Sequence, residues 1–118
     1  MLWRLLRRRM LQLMFPAKAL AEVIGTFTMI FVGAGSIVLS ERFPQTFPAF
    51  LIPIAWGLTI ALMIFAVGHI SGAHFNPAVT LAFVIAKRIP ASDIFIYWGS
   101  QVIGGLLAIS LLEVLRKL

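Results

Sequence analysis

The sequence has no cysteine and little charge. Among 118 residues there are four acidic residues and two histidines, and charged residues make up 12%. The absence of cysteine excludes disulfides, a thiolate nucleophile and zinc–cysteine sites, and it leaves the redox compartment open. The shortage of charge excludes a soluble domain of this length, because 61% of the residues are hydrophobic and cannot all be hidden from water.

Groups that carry out common enzyme chemistry are also missing. The sequence has no carboxylate pair, no activated nucleophile and no phosphate-cradling glycine loop. His69 and His74 have no acidic ligand near them in the sequence, which disfavours a metal site. We therefore expect neither an enzyme nor a metal or other cofactor.

The positive charge does not indicate a nucleic-acid partner. The net charge is +6 and the pI is near 11.3. The basic residues are concentrated at the N-terminus and beside apolar runs, a placement typical of contact with lipid headgroups rather than of a basic binding face. Membrane lipid is the partner that this pattern predicts.

Three apolar segments are long enough to cross a bilayer, which takes about 20 helical residues each. They cover about 19–39, 49–67 and 93–115. The linker between the first two contains two prolines and charges of both signs, which indicates a loop outside the hydrocarbon. Ser92 and Asp93 are typical of a helix N-cap with an acid in the first turn. The sequence thus predicts an all-α, multi-pass membrane protein.

Residues 1–18 are predicted to be a basic arm, ahead of a membrane domain over 19–118. Arg4, Arg7 and Arg8 fall at helical spacing, which indicates a helix in the membrane interface; an unstructured tail is an equal alternative. A secretory signal peptide is disfavoured because the apolar segment is too long, carries an acid and ends without a small-residue cleavage site.

Residues 68–86 are predicted to form a re-entrant loop and half-helix. The apolar run that begins at Pro77 has ten residues and reaches about 15 Å, half of a hydrocarbon core. It ends at two basic residues, so it enters and leaves the membrane on one side. Asn76 is a favoured N-cap and Pro77 suits the first helical position. The positive end of this helix therefore points at the midplane.

The strip Gly72–Phe75 before the half-helix is predicted to be non-helical, with unpaired carbonyls. These acceptors and the donors at the Asn76 end form a track for a small hydrogen-bonding solute. We expect Glu22 and Gln101 to support this loop by binding its N–H groups, and His69 to anchor it by a hydrogen bond. For His74, solute contact and a structural role are both open.

Three stretches resemble motifs of the aquaporin, or major intrinsic protein, family of water and glycerol channels. The first pore loop is GHISGAHFNPAVT, the first helix is AEVIGTFTMIFVGAGS and the third helix is YWGSQVIGGLLA. They occur in the family's order and spacing. The resemblance implies one of the two inverted repeats of that fold, with three transmembrane helices and one re-entrant half-helix: half of an aquaporin.

The resemblance also implies roles for individual residues. Asn76 would donate its side-chain amide to the solute, and the strip before it would supply a ladder of carbonyls. Trp56 matches the aromatic of the selectivity filter, in the form typical of glycerol facilitators. Met29 and Ile60 match the apolar wall, although periodicity alone favours ordinary packing for these three. The implied pore residues are Gly72, Ala73, His74, Phe75, Asn76, Pro77, Ala78, Val79, Trp56, Met29 and Ile60.

One residue departs from the family's second repeat. Val79 stands where that repeat has an arginine, which narrows the filter and repels cations. Val79 is the residue usual in the first repeat, so a pore made only of this repeat would lack the filter charge.

One repeat cannot wall a pore, and a half-helix end facing lipid would be unsatisfied. Two copies in opposite orientations would bring two Asn76 caps together. With three spans, seven basic residues lie on one side against three on the other, which favours a cytoplasmic N-terminus; without the arm before Met14, the count is three against three, as dual insertion requires. Met10 and Met14 offer later start sites. The side of the N-terminus carries Arg4, Arg7, Arg8, Arg9, Lys18, Lys87 and Arg88. The opposite side carries Arg42, Arg116 and Lys117.

These observations predict a passive channel for water and small neutral solutes such as glycerol, formed by an antiparallel homodimer in the cell (inner) membrane. The resemblance implies four such pores in eight chains. The alternatives are half of a split pore completed by a different polypeptide, and a non-conducting membrane subunit. Small residues should permit close helix packing within and between copies. These are Gly25, Gly33, Gly35, Gly57, Gly104 and Gly105.

Overall fold

The computed structural model describes the backbone of residues 1–118 and all side chains except those of residues 7–9 and 11–13. The chain forms four α-helices and one short 3₁₀ turn. The Arg7 and Arg8 side chains of the predicted amphipathic arm lie outside the described residues. The helices are α1 (Leu2–Arg42), α2 (Leu51–Ser71), α3 (Pro77–Ile85) and α4 (Ile94–Lys117), with the 3₁₀ turn at Ala91–Asp93 before α4.

One continuous helix covers both the predicted arm and the first span. Its 41 residues extend about 61 Å, twice the thickness of a hydrocarbon core. The section Met14–Arg42 is long and apolar enough to cross a membrane. Pro16 lies inside the helix near the start of that section. The division of the chain at residue 18 stays a prediction, since the helix itself has no break there.

Three segments have the length and composition of membrane spans, which confirms the predicted fold class. They are Met14–Arg42, Leu51–Ser71 and Ala91–Lys117. The second helix runs four residues past its predicted end and includes Gly68, a glycine that does not break it. Gly72 ends α2 in the left-handed conformation, at φ 91°, and its N–H bonds the carbonyl of Gly68.

The start of α4 differs from the predicted cap. Neither Pro90, which precedes the 3₁₀ turn, nor Asp93, which precedes α4, makes a side-chain capping bond. Asp93 is instead buried with its Oδ2 3.7 Å from Lys18 Nζ, and Ser92 Oγ bonds Asp93 Oδ1 at 3.3 Å. The predicted cap at Ser92 is wrong because a tertiary contact with α1 holds the acid.

Helix α1 is the centre of the bundle. It packs against α2 and α4, and α3 packs against α4. At the crossing of α1 and α4, a Cβ on Gly104 would lie 2.5 Å from the carbonyl oxygen of Val23, so only glycine lets these backbones come so close. A Cβ on Gly57 or Gly105 would meet no atom within 4 Å. These two glycines therefore serve no packing within this chain.

The interior is polar and the surface is apolar. The buried side chains include Glu22, Thr80, Gln101, His74 and Ser71, whereas large apolar side chains are exposed along every helix. Along α2, only Thr59 and Ser71 are buried. This inverted distribution suits lipid surroundings, where apolar side chains face the solvent and polar groups must find partners inside the protein.

Candidate functional site

The half-helix α3 begins as predicted. Asn76 is extended, at φ −151° and ψ 128°, and its Oδ1 accepts a hydrogen bond from the Ala78 N–H at 2.8 Å. Pro77 takes the first helical position. Asn76 is exposed, and its amide N–H groups bond none of the residues that the structure describes. The end of α3 therefore presents both a positive helix terminus and two free donors.

The strip before Asn76 has an unusual backbone. Gly72, Ala73 and Phe75 have φ values of 91°, 53° and 51°. A non-glycine residue in this left-handed region costs about 1–2 kcal/mol. Two such residues in so short a strip persist only when the surroundings fix them, and this kind of strain concentrates at functional sites.

Glu22 is the group that fixes the strip. Its side chain is completely buried. Its Oε1 accepts from the His74 N–H at 2.9 Å and from the Ser71 hydroxyl at 2.7 Å. Its Oε2 accepts from the Phe75 N–H at 2.7 Å and from Gln101 Nε2 at 2.8 Å. The carboxylate thus binds two N–H groups of the broken loop, the contact expected of Glu22 from the sequence.

The carbonyls of the strip are free. The N–H groups of Ala73, His74 and Phe75 turn toward Ser71 Oγ and Glu22. The carbonyls of Gly72–Phe75 accept no hydrogen bond from the described part of the chain. The Phe75 ring is itself buried, close against Gly25. The strip therefore offers backbone acceptors beside the free side-chain N–H groups of Asn76.

Gln101 holds side chains rather than the backbone. Its Nε2 donates to Glu22 Oε2 and, at 2.9 Å, to Thr80 Oγ1. Thr80 Oγ1 donates in turn to the carbonyl of Asn76 at 3.2 Å. The prediction that Gln101 binds N–H groups of the loop is wrong, because the carboxylate of Glu22 already takes them. Gln101 instead joins α4 to Glu22 and to the half-helix.

The two histidines have different surroundings. His74 is buried, with Nδ1 3.1 Å from Thr80 Oγ1 and its ring 4.5 Å from the Tyr97 ring. This supports the structural role for the His74 side chain and leaves its carbonyl for the track. His69 is exposed and makes no hydrogen bond to the described residues. Its predicted anchoring bond is wrong because α2 continues through His69, which places the side chain on the helix surface.

Several supporting residues were missed in the sequence. The Tyr97 hydroxyl donates to the Ser71 carbonyl, and Trp98 Nε1 donates to the Pro77 carbonyl at 3.0 Å. Thr80, completely buried, links Asn76, His74 and Gln101. A signal was present in the spacing: Thr80 follows Asn76 by four residues and Gln101 follows Tyr97 by four, so each pair shares one helix face.

The remaining predicted pore residues lie apart from the loop or at the start of α3. The Trp56 indole covers Gly33 of α1, which is a packing contact. Met29 and Ile60 are half-buried on α1 and α2. Ala78 and Val79 are exposed in the first turn of α3, next to Asn76. The structure thus groups the strip with the first turn of α3.

The half-helix site combines free side-chain N–H groups, a row of free carbonyls and a capped helix end within a bundle of three membrane spans. The profile of the major intrinsic protein family matches residues 9–118. The chain belongs to the major intrinsic protein family. This major intrinsic protein is an integral membrane protein, and the resemblance seen in its sequence is confirmed.

The relatives are about twice as long or longer. Aquaporin Z of Brucella melitensis is 46% identical over 101 residues, which cover 85% of this chain and 44% of the relative. Aquaporin NIP3-1 of Arabidopsis thaliana is 42% identical over 106 residues, covering 88% and 32%. Nodulin-26 of Glycine max is 43% identical over 103 residues, covering 86% and 37%. This major intrinsic protein spans less than half the length of these relatives.

Proposed function

We propose that the chain forms a passive channel for water and small neutral solutes such as glycerol. The observation that carries this proposal is the row of free hydrogen-bonding groups at the half-helix. The carbonyls of Gly72–Phe75 and the side-chain N–H groups of Asn76 have no partners among the described residues, whereas Asn76 Oδ1 accepts a hydrogen bond from the Ala78 N–H. In a membrane such groups are tolerated only where they face water or protein. A file of permeating molecules would supply the missing partners.

The proposed pore is completed by a second copy of the chain in the opposite orientation. The exposed surface of α2 and the exposed first turn of α3 leave the half-helix end open on one side. An inverted copy would place a second Asn76 end against the first, as inverted repeats do within one transporter chain. The two opposed helix ends, both positive, would disfavour cations.

The charge distribution from Met14 onward supports insertion in both orientations. Over Met14–Lys117, the basic residues on the two sides number three and three, and the positive-inside rule then gives no preferred orientation. They are Lys18, Lys87 and Arg88 on the loop side, and Arg42, Arg116 and Lys117 on the other. The four arginines before Met14 make the count seven against three, so this support applies to a chain that starts at Met10 or Met14. Four such pores clustered in eight chains, in the cell (inner) membrane, remain part of this proposal.

The proposed solute range follows from the first turn of α3. Val79 is exposed there and carries no charge, in the place where an arginine narrows the family's second repeat. Two copies of this chain would therefore provide two valines and no filter arginine. We propose that the pore passes glycerol-sized neutral solutes as well as water, with Trp56, Met29 and Ile60 on its apolar side.

Stopped-flow permeability of liposomes that hold only this polypeptide tests the channel. Water and glycerol flux should exceed the flux of empty liposomes. The matched variant is Asn76→Ser, which keeps an N-cap but removes both amide donors. We expect this variant to fold and to lose flux several-fold. Water and glycerol flux no higher than that of empty liposomes would contradict the proposed channel.

A separate measurement distinguishes the alternatives. The chain has no cysteine, so a single introduced cysteine reports its orientation without background. Labelling of Glu41→Cys from both sides of the membrane would support two orientations of one chain. Labelling from one side only, with no flux, would favour a split pore completed by a different polypeptide. Labelling from both sides with no flux would favour a non-conducting membrane subunit.

A further inference from the structure

A second feature lies at the end of the bundle opposite the pore loop. A cavity of about 430 Å³ opens there between α1, α2 and α4, and we call it the outer cavity. Its lining includes Phe31, Leu39, Ala55 and Leu112. The volume falls within the range of about 300–1,000 Å³ that is usual for small-ligand sites. Nothing in the solute path described above uses this cavity.

The wall of the outer cavity is apolar. Apart from two arginines, the one polar side chain in the lining is Ser36, whose hydroxyl already bonds the carbonyl of Gly33 at 2.6 Å. A buried water or polar solute needs two to four polar partners, and this wall does not provide them. A hydrocarbon chain needs none. The wall therefore suits an acyl chain.

The two arginines stand at the membrane-surface end of the cavity. Arg42 is the last residue of the first span, and Arg116 is next to the last residue of the third. Phe31 lies eleven residues before Arg42 along α1, or about 16 Å deeper. The cavity thus extends from headgroup level to about half the depth of the hydrocarbon core, which is about 30 Å thick.

The charge at the mouth is positive. Arg42 has no carboxylate partner among the described side chains. Arg116 and Lys117 share one acid, since Glu113 Oε1 lies 3.1 Å from the Arg116 Nη2 and 3.5 Å from the Lys117 Nζ. Glu41 is exposed and does not line the cavity. Only Arg42 and Arg116 of these charged residues line the cavity, and Arg42 has no carboxylate partner within the described part of the chain, so the mouth favours an anion.

A second copy of the chain fits this place less well. If the proposed antiparallel pairing holds, the Lys87 and Arg88 that follow α3 of one copy reach the membrane face that carries Arg42 and Arg116 of the other. Like charges of the two copies would then lie on the same membrane face. A phosphate between these cations would remove that repulsion. The charges therefore favour lipid over protein as the occupant.

We propose that the outer cavity is a binding site for an anionic phospholipid. Arg42 and Arg116 bind the phosphate, and one acyl chain lies along the wall between Leu39 and Phe31. Snorkelling arginines keep their charge at headgroup level while their stems cover apolar surface, which fits both ends of such a ligand. Lipid bound here fills the space that α1, α2 and α4 leave between them at this end of the bundle.

The test uses the full chain in detergent with phosphatidylglycerol, phosphatidylcholine and glycerol phosphate as probes. Binding is measured by native mass spectrometry and by the shift in melting temperature. Arg42→Gln/Arg116→Gln removes the two cations at the cavity. Lys87→Gln/Arg88→Gln removes the same charge at the opposite end and is the matched control. Gly35→Leu fills the cavity, since a Cβ on Gly35 would lie 3.3 Å from the mobile Cδ2 of Leu112.

Phosphatidylglycerol should bind saturably and raise the melting temperature of the unmodified chain. Binding should weaken about thirtyfold in Arg42→Gln/Arg116→Gln, since each cation near the headgroups contributes about 1 kcal/mol and about 1.4 kcal/mol is a factor of ten. It should change less than twofold in the control, and Gly35→Leu should lose it. Phosphatidylcholine should bind more weakly than phosphatidylglycerol, and glycerol phosphate, which has no acyl chain, should not bind.

Four results would overturn the proposal. Equal losses in the two charge variants would show unspecific attraction to basic residues. Binding of glycerol phosphate as tight as that of the lipid would show an anion site without an acyl chain. Unchanged lipid binding in Gly35→Leu would show that the lipid does not occupy the cavity. If the unmodified chain binds no lipid and Gly35→Leu loses self-association, the occupant of the cavity is a second copy of the chain.

Discussion

The two ends of the helix bundle are built on opposite principles. At the loop end, the space beside α1 is filled by the strip Gly72–Phe75 and α3, and the interior is a connected set of polar groups around Glu22. At the other end, the same helices leave an apolar cavity with charge only at its mouth. The difference teaches that broken backbone inside a membrane requires a buried acceptor, whereas a regular helix, whose backbone bonds are made internally, requires only apolar neighbours.

Position decides what a carboxylate does in this molecule. Glu22 accepts four hydrogen bonds in a dry interior, where each unmade bond costs free energy. Glu113 bonds two exposed cations in its own helix, where water competes for every group. The same chemical group therefore holds the loop at one end and contributes little at the other. The following substitutions test that contrast.

The largest effect is expected from Glu22→Gln. The substitution replaces one acceptor oxygen of Glu22 by an NH₂ group, which is itself a donor. At least one of the groups that donate to Glu22 therefore loses its partner. We expect the free energy of unfolding to fall by about 3 kcal/mol, measured by thermal unfolding in detergent. Glu113→Gln is the matched control and should leave the melting temperature unchanged. Similar shifts in both variants would contradict the contrast between the two ends.

The next effect is expected at the crossing of α1 and α4. Gly104→Ala places a Cβ 2.5 Å from the Val23 carbonyl oxygen, which is backbone and cannot turn away. The helices must separate, at a cost of about 2 kcal/mol. Gly105→Ala meets no atom within 4 Å and should stabilise α4 slightly, by up to about 1 kcal/mol. The melting temperatures of the two variants check this. A lower melting temperature for Gly105→Ala than for Gly104→Ala would show that α1 and α4 do not approach closely at Gly104.

A smaller effect is expected from Thr80→Val. This change keeps the shape of the side chain but removes the hydroxyl that serves His74, Gln101 and the Asn76 carbonyl. The free energy of unfolding should fall by about 1–2 kcal/mol. In Thr59→Val the lost hydroxyl bonded only the Ala55 carbonyl of its own helix, so the loss should be less. Equal losses would mean that Thr80 is not part of a network.

The smallest effect is expected from Ser92→Ala. If Ser92 were a helix cap, the change would cost about 1 kcal/mol. In the structure its hydroxyl bonds only Asp93, and Asp93 retains Lys18 as its partner. We expect a change within about 0.5 kcal/mol in the same unfolding measurement. A loss as large as that of a true cap would restore the prediction made from the sequence.

Local features of the loop could be predicted from the sequence, because their causes are local. Asn76 and Pro77 fix the start of α3 by their own chemistry, and ten apolar residues before two basic ones fix its length. The role of Glu22 was accessible for a related reason, since a lone acid in an apolar segment requires buried partners. The three spans follow from length and hydropathy alone.

Features that depend on contacts between helices could not be predicted. Whether Gln101 binds the backbone or Glu22 depends on how α4 packs against α1. The side chain of His69 lies outside the loop because α2 ends four residues later than its composition suggests. The ion pair between Lys18 and Asp93 joins residues far apart in the sequence. The outer cavity is likewise a product of packing that no single segment encodes.

Cross-linking at the half-helix tests the central claim, that two inverted copies meet at their Asn76 ends, most directly. Ala78→Cys places a thiol in the exposed first turn of α3, and Ile85→Cys places one at its last residue. A short bifunctional maleimide in membranes should link two Ala78→Cys chains into a dimer and leave Ile85→Cys chains largely monomeric, because the far ends of two opposed half-helices point apart. Efficient linkage at Ile85→Cys with none at Ala78→Cys would contradict the paired, inverted pore.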